Sequence, residues 1–215
     1  MVIRARVVLG GIRFAAGIAS DPSGVVILWK AATGGKAVGC LPGTRVPELL
    51  DAANLLPIAL ESPEDLSPLS GRIDAWLIGA DPAPFAVPPE GIPRFEFPRV
   101  PPENLEEALD RVEALAEWAA VVSGFPASEG ALWKSIRAYV TLRALLDALD
   151  ERIARETAFL TPEERRGIVR AGAFLPPEAH SRLLSSVLGV DPEPAAVAAE
   201  GEKGDPLIVL AKRLM

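Results

Sequence analysis

Apolar residues dominate the first thirty positions of the chain, and they alternate with arginines at its start. Residues 2–10, VIRARVVLG, place apolar side chains on one side and Arg4 and Arg6 on the other, which is the two-residue period of a half-buried strand. Residues 12–20, IRFAAGIAS, follow two glycines and predict an antiparallel partner strand. Residues 24–32, GVVILWKAA, are β-branched and aromatic, which predicts a central strand.

The next fifty residues predict more strands around one helix. Residues 36–41, KAVGCL, predict a strand, and residues 42–56 predict a helix with Thr44 as its N-cap. Residues 57–62, PIALES, and 72–81, RIDAWLIGAD, predict two further strands separated by a loop rich in serine, proline and aspartate.

A proline-rich segment then separates this sheet from a helical half. Eight prolines fall between Pro82 and Pro102, which excludes a helix or a central strand, and Phe95 and Phe97 are its candidate anchors. Beyond it, residues 103–124 and 128–160 carry apolar side chains at helical spacing. Two shorter helices are predicted next, the first by the capping box of Thr161 and Glu164 and the second over residues 176–189.

The chain is therefore predicted to have an α+β fold: a mixed α/β sheet domain followed by an α-helical domain. The predicted sheet domain covers residues 1–86, and residues 87–102 form the proline-rich connection. The helical domain covers residues 103–189. A flexible linker at 190–204 leads to a docked apolar segment at 205–215.

Composition limits what the protein does. The formal net charge is −7, and neither half of the chain is a basic platform, so binding of nucleic acid by the whole surface is disfavoured. A single cysteine, Cys40, and a single histidine, His180, exclude an internal disulfide and a Cys/His zinc site. His180 is expected to be a surface or capping residue rather than a general base. No apolar run is long enough to span a bilayer and no signal peptide is recognisable, so we expect a cytoplasmic protein without a membrane partner.

The polar residues also carry information about the host. The chain contains no glutamine, two asparagines, 17 arginines, 5 lysines and 21 prolines. This composition is typical of proteins from thermophiles, and GC-rich coding favours the same residues.

Asp21 is the first candidate for chemistry, because an aspartate between an apolar segment and a glycine-containing turn is typical of metal-binding strand ends. On that interpretation Asp81, with Asp74 or Glu61 as an addition, completes a site for divalent metal ions, the only cofactor that we expect. The alternative is a type I turn, since Asp-Pro-Ser-Gly has the residues that this turn favours.

A second candidate site is a group of arginines. Arg165, Arg166 and Arg170 lie on or near one face of a predicted short helix and form a local basic cluster. Such a cluster is a candidate contact for nucleic acid, although neighbouring glutamates neutralise part of its charge.

Residues 136–169, IRAYVTLRALLDALDERIARETAFLTPEERRGIV, combine a long amphipathic helix with a capped Thr-Pro-Glu-Glu helix. This segment resembles the helical domain of GINS replication-complex subunits. The resemblance implies a subunit of a complex that processes nucleic acid. The N-terminal half of this chain is longer than the small β-domain of that family.

Together these observations favour a non-catalytic subunit or scaffold of an intracellular complex, with other protein subunits as its partners. One alternative is a metal-dependent phosphodiesterase or phosphotransferase of ribonuclease-H-like type that uses Asp21 and Asp81. Another is a small-ligand binder with its site in the cleft between the two halves.

Overall fold

The computed structural model describes residues 2–43, 46–79, 91–98, 100–155, 159–190 and 204–215, with side chains from residue 9 onward. The helices are α1 Val2–Ser20, α2 Pro22–Thr33, α3 Pro47–Ala52, α4 Leu105–Ser123, α5 Glu129–Arg155, α6 Pro162–Gly172, α7 Pro177–Leu188 and α8 Pro206–Leu214. The strands are β1 Lys36–Cys40, β2 Leu55–Ala59, β3 Ala75–Ile78 and β4 Arg94–Glu96, and Pro63–Leu69 forms a 3₁₀ helix. Helices dominate around a small sheet, which confirms the predicted α+β class.

The four strands of the described residues form one parallel sheet in the order β2-β1-β3-β4. Its central strands are apolar on both faces, as expected for a parallel sheet that is covered on both sides. Ala37 of β1 and Trp76 of β3 belong to a first core with α1, α2, α6 and α7. Val38 and Leu77 belong to a second core with α3, α4, α8 and the beginning of α5.

Both cores combine residues from before and after the proline-rich segment. The first core joins Ile18 of α1 to Leu184 of α7, and the second joins Leu49 of α3 to Leu115 of α4. The domain boundaries drawn from the sequence stay a prediction.

The predicted strands at 2–10, 12–20 and 24–32 are wrong, because the structure has helices α1 and α2 there. In α1 the buried positions Gly11, Ala15 and Ile18 recur at the i, i+4, i+7 spacing of a helix. Gly11 allows α7 to approach closely, since a Cβ atom there would lie 3.1 Å from Val187 Cγ2.

Capping residues explain why the β-branched segment of α2 is helical. Asp21 is its N-cap and accepts a hydrogen bond from the Gly24 amide, while Pro22 occupies the first helical position. Gly34 ends the helix in the left-handed conformation, with its amide bonded to Lys30 O. These end signals outweigh the β-propensity of the residues between them.

Several predictions in the later part of the chain are confirmed. Thr161 and Glu164 form the predicted capping box at the start of α6. Among the described residues of the proline-rich segment, Arg94–Glu96 form β4 at the edge of the sheet, which is where a sheet tolerates nearby prolines. Phe95 packs against Phe97 and against Trp118 of α4, with ring centroids 5.4 and 5.8 Å apart. The predicted N-cap Thr44 lies outside the described residues.

Candidate functional site

The strand order places a topological switch point between β1 and β3. From β1 the chain passes through α3 to β2 on one side, and it then crosses back to β3 on the other side of β1. In open parallel sheets, ligands bind in the crevice that forms at the carboxyl ends of the strands near such a reversal. The segments that follow β1 and β3 are therefore expected to border a ligand site.

A pocket of about 180 Å³ lies at this carboxyl edge, on the side of the sheet that faces α5. Its walls come from the strand ends, from α5 and from the connection between α6 and α7. They include Cys40, Ala59, Leu77, Tyr139, Leu142 and Ala173. We call it the edge pocket. An apolar cavity of about 150 Å³ is large enough for benzene, so the edge pocket has room for a small, mostly apolar molecule.

The two segments at the switch point touch closely. A Cβ atom on Gly79, directly after β3, would lie 1.9 Å from Pro42 O in the segment after β1. Only glycine fits there. Val46, at the N-cap of α3, has φ 57° and ψ 51°, a left-handed conformation that is unfavourable for a β-branched residue. Backbone strain of this kind, about 1–3 kcal/mol, concentrates at functional sites.

Tyr139 gives the edge pocket a hydrogen-bonding group. Burial, followed by the charges of Asp51 and Glu48, raises the pKa of Tyr139 well above its ordinary value. The phenol therefore stays protonated at any physiological pH and is available as a donor. The apolar walls around it disfavour a charged ligand, because an ion would lose its hydration there. The chemistry of the pocket suits a neutral ligand that carries a hydrogen-bond acceptor.

A buried charge network supports the wall that carries Tyr139. Glu48 of α3 is fully buried, and its Oε1 atom accepts hydrogen bonds from Arg143 of α5 and Arg213 of α8. Its Oε2 atom is buried and has no hydrogen-bond partner among the described residues. The network fixes α3 against α5 and α8, and it leaves one carboxylate oxygen unsatisfied.

Asp51 lies one helical turn after Glu48 on α3. Burial raises the pKa of Asp51 to about 6, and the hydrogen bond from Ser135 Oγ at 2.7 Å opposes the rise. Perturbed carboxylates are concentrated at functional sites. Asp51 therefore changes protonation state near neutral pH beside the wall of the edge pocket.

The structure shows the contacts of Asp21 and Asp74, two of the aspartates that the sequence singled out. Asp21 lies between two helices rather than at a strand end or in a type I turn, because it caps α2. Asp74 pairs with Lys30 at 2.6 Å and accepts a hydrogen bond from the Ala37 amide at 2.7 Å. Asp81 lies outside the described residues. Within the described part of the chain, no group of three or more His, Cys, Asp or Glu residues could hold a metal ion.

Each arginine of the predicted basic cluster has an acidic partner. Arg165 pairs with Asp150 at 2.9 Å and Arg166 pairs with Glu163 at 2.8 Å. Arg170 pairs with buried Asp65 at 2.6 Å and so fixes α6 to the 3₁₀ helix. Nucleic-acid binding by this cluster stays a prediction.

His180 is buried, at 4% exposure, so its expected place at the surface is wrong. Its ring packs on Gly172, where a Cβ atom would lie 2.0 Å from the imidazole Cε1. Burial lowers the pKa of His180 to about 4, although a backbone hydrogen bond at Ile168 opposes the change. The imidazole is therefore neutral at pH 7 and serves as a packing group between α6 and α7.

Sequence reasoning missed Glu48, Asp51 and Tyr139. A signal was present: Glu48 and Asp51 are spaced i, i+3 in the otherwise apolar segment PELLDAA, and a segment with few polar residues is expected to be buried. Carboxylates in such a segment need partners, and Arg143 and Arg213 are about 95 and 165 residues away in the chain.

Comparisons with known proteins identify no relative of this chain: no family model and no curated protein matches it. Of the helices in the described ranges, none combines the length and apolar character needed to cross a membrane.

Proposed function

We propose that the protein binds a small, neutral, mostly apolar molecule in the edge pocket. One observation carries the proposal: the pocket opens at the carboxyl ends of β1, β2 and β3, beside the topological switch point. The unusual backbone at Gly79 and Val46 and the protonated Tyr139 support it. A carbonyl or ether oxygen on the ligand would accept the hydrogen bond of Tyr139.

Acetophenone is a suitable probe, because it combines an aromatic ring with one acceptor oxygen. We expect ligand-detected NMR to find acetophenone bound to the full chain, and Tyr139→Phe to weaken its binding about 3- to 10-fold, the value of one neutral hydrogen bond. Cumene has a similar shape and no acceptor, so its binding should not depend on Tyr139.

A blocking variant tests the location of this site. Ala59 lines the edge pocket and is exposed at the edge of the sheet, so Ala59→Leu should fill the opening and abolish binding of both probes. Ala154→Leu, at an exposed position near the end of α5, is the matched control and should bind as the natural chain does. Equal binding by the two variants would refute the proposed site.

A second function, that of a non-catalytic complex subunit, draws support from exposed apolar side chains. Phe14 of α1 is 60% exposed and Leu28 of α2 is 72% exposed. Large exposed apolar side chains are typical of protein contacts when they form a patch. A tagged chain should recover a stoichiometric protein from its host, and Leu28→Glu should reduce that recovery. Recovery of the chain alone would count against this function.

A further inference from the structure

A second cavity lies on the outer side of α5, where α7 crosses it. It is an open groove of about 600 Å³ between the first half of α5 and the first turns of α7. Lys134, Arg137 and Arg182 line this α5–α7 groove, together with the carboxylate of Glu178. Arg137 makes a contact of its own, so Lys134 and Arg182 are the cations that face this carboxylate, in a chain whose formal net charge is −7.

The contacts of Lys134 and Arg182 leave positive charge available in the groove. Glu178 lies 3.5 Å from Lys134, in a pair whose side chains are 44% and 74% exposed, so the attraction is weak. Arg182 is exposed and has no ion-pair partner within the described part of the chain. A guanidinium presents a planar set of donors that fits a phosphate or a carboxylate.

A buried hydroxyl provides an independent indication of a ligand. Ser181 lines the groove between Glu178 and Arg182 and is 6% exposed, and its Oγ atom has no hydrogen-bond partner among the described residues. An unpaired buried hydroxyl costs about 1–3 kcal/mol, so such groups are usually satisfied by a partner. An oxygen of a bound anion would be that partner.

The remaining walls are apolar or small, with Ala138 on α5, Ala179 on α7 and Pro176 before it. The N-terminus of α7 adds little, because Pro177 has no amide hydrogen and the amides of Ala179 and His180 already bond to Pro176 O. The recognition chemistry therefore comes from the side chains: cations and a hydroxyl for an anionic group, and small apolar walls for an organic body.

We propose that the α5–α7 groove binds a small organic anion, in which a phosphate or carboxylate group pairs with Arg182 and Ser181. This site is separate from the edge pocket, and neither proposal depends on the other. The shared chemistry is an anionic oxygen group on an apolar body, and the choice between phosphate and carboxylate is left to the probes.

Three aromatic probes of similar size test the proposal by NMR titration of the full chain: phenyl phosphate, benzoate and benzyl alcohol. We expect at least one of the two anions to bind, and the stronger of them to identify the group. Benzyl alcohol should bind at least about 10-fold more weakly at this site, since it lacks the charge that pairs with arginine. Equal binding of all three would overturn the proposal.

Two pairs of variants locate the site. Arg182→Gln should weaken binding of the better anion about 5- to 10-fold, whereas Arg166→Gln, which removes an exposed arginine elsewhere, should have no effect. Ser181→Ala should weaken binding about 3-fold, whereas Ser185→Ala, which removes the other buried unpaired hydroxyl of α7, should not.

Equal losses in Arg182→Gln and Arg166→Gln would show attraction to charge in general and would overturn the site. Melting curves of each variant check that it remains folded. The two proposals fail separately: Ala59→Leu, which blocks the edge pocket, should leave anion binding unchanged.

Discussion

Two buried carboxylates, Asp65 and Glu48, show how differently the two faces of the sheet use charge. Asp65, beside the first core, accepts hydrogen bonds from the Glu61 and Ser62 amides and from Arg170, so both of its oxygens are satisfied. Glu48, beside the second core, accepts hydrogen bonds from two arginines on one oxygen. Its other oxygen has no partner in the described residues.

The difference supports the proposal of a ligand site beside Glu48. Around Asp65 the polar groups stabilise the fold, since they cap the 3₁₀ helix and fix α6 to it. Around Glu48 lie an incompletely satisfied carboxylate, the raised pKa of Asp51 and the strained backbone of Val46.

Features of the kind found around Glu48 are concentrated at functional sites. Pro47, between Val46 and Glu48, lines the edge pocket. Tyr139 lines it as well, and burial together with the charge of Asp51 raises the pKa of Tyr139.

The largest expected effect comes from neutralising these carboxylates. Glu48→Gln removes the charge with which Arg143 and Arg213 pair. We expect a loss of about 2–4 kcal/mol in the free energy of unfolding, because two charge-assisted hydrogen bonds weaken while the partly exposed arginines regain water. Asp65→Asn keeps one acceptor oxygen for the amides, so we expect a loss of about 1–3 kcal/mol. Denaturant titrations measure both. A larger loss for Asp65→Asn would reverse the comparison.

The next effect concerns the close contact at the switch point. Gly79→Ala places a methyl group against Pro42 O and should destabilise the protein by about 1–3 kcal/mol through overpacking. It should also weaken acetophenone binding, because the segments after β1 and β3 must separate. Gly17→Ala is the control: nothing lies within 4 Å of its added Cβ atom, and alanine in this helix should stabilise by about 0.5–1 kcal/mol. Equal effects in both variants would contradict the crowding at Gly79.

A smaller effect is expected from Asp51, and it depends on pH. The folded protein keeps the Asp51 proton up to about pH 6, whereas the ordinary pKa of the group is 3.8. Its contribution to stability is therefore full below about pH 4, and it is lost as the pH rises to about 6 and above. Asp51→Asn should stabilise the protein at pH 7 by about 1–2 kcal/mol, less than the full shift because Ser135 bonds to the charged form.

Denaturant midpoints of the natural chain and Asp51→Asn, measured between pH 4 and pH 7.5, check this prediction. The difference should nearly vanish at pH 4 and increase towards pH 7. A constant difference across that range would mean that Asp51 has an ordinary pKa in the folded protein.

Sequence patterns predicted the later helices well and the first thirty residues badly, for a physical reason. Thr161 and Glu164 define the start of α6 by a local interaction, and local interactions can be read from the sequence. In residues 2–33 about three quarters of the positions are apolar (glycine and proline included), so the pattern does not distinguish a two-residue period from a 3.6-residue period. The residues at the ends of α2 distinguish the two periods. Asp21 and Gly34 are typical helix caps, and Pro22 is typical of the first helical position.

The edge pocket could not be predicted from the sequence, because its walls come from distant segments. Cys40, Tyr139 and Ala173 are far apart in the sequence. The order of the strands brings them together, and the sequence pattern does not specify that order.

Asp21 and Asp81 were conspicuous in the sequence because each follows an apolar segment and precedes a proline. Glu48 and Asp51, beside the pocket, lie in an apolar helix, and their importance depends on burial and on partners that are distant in the chain.

The central claim is that a small neutral ligand occupies the edge pocket, and intermolecular NOE measurements test it most directly. Acetophenone is added to methyl-labelled protein, and contacts between its ring protons and protein methyl groups are recorded. If acetophenone binds in the edge pocket, we expect contacts to the methyl groups of Ala59, Leu77 and Ala173, which line it. These contacts should be absent in Ala59→Leu and present in Ala154→Leu. Contacts to exposed side chains alone, such as Leu28, would show that acetophenone does not bind in the edge pocket.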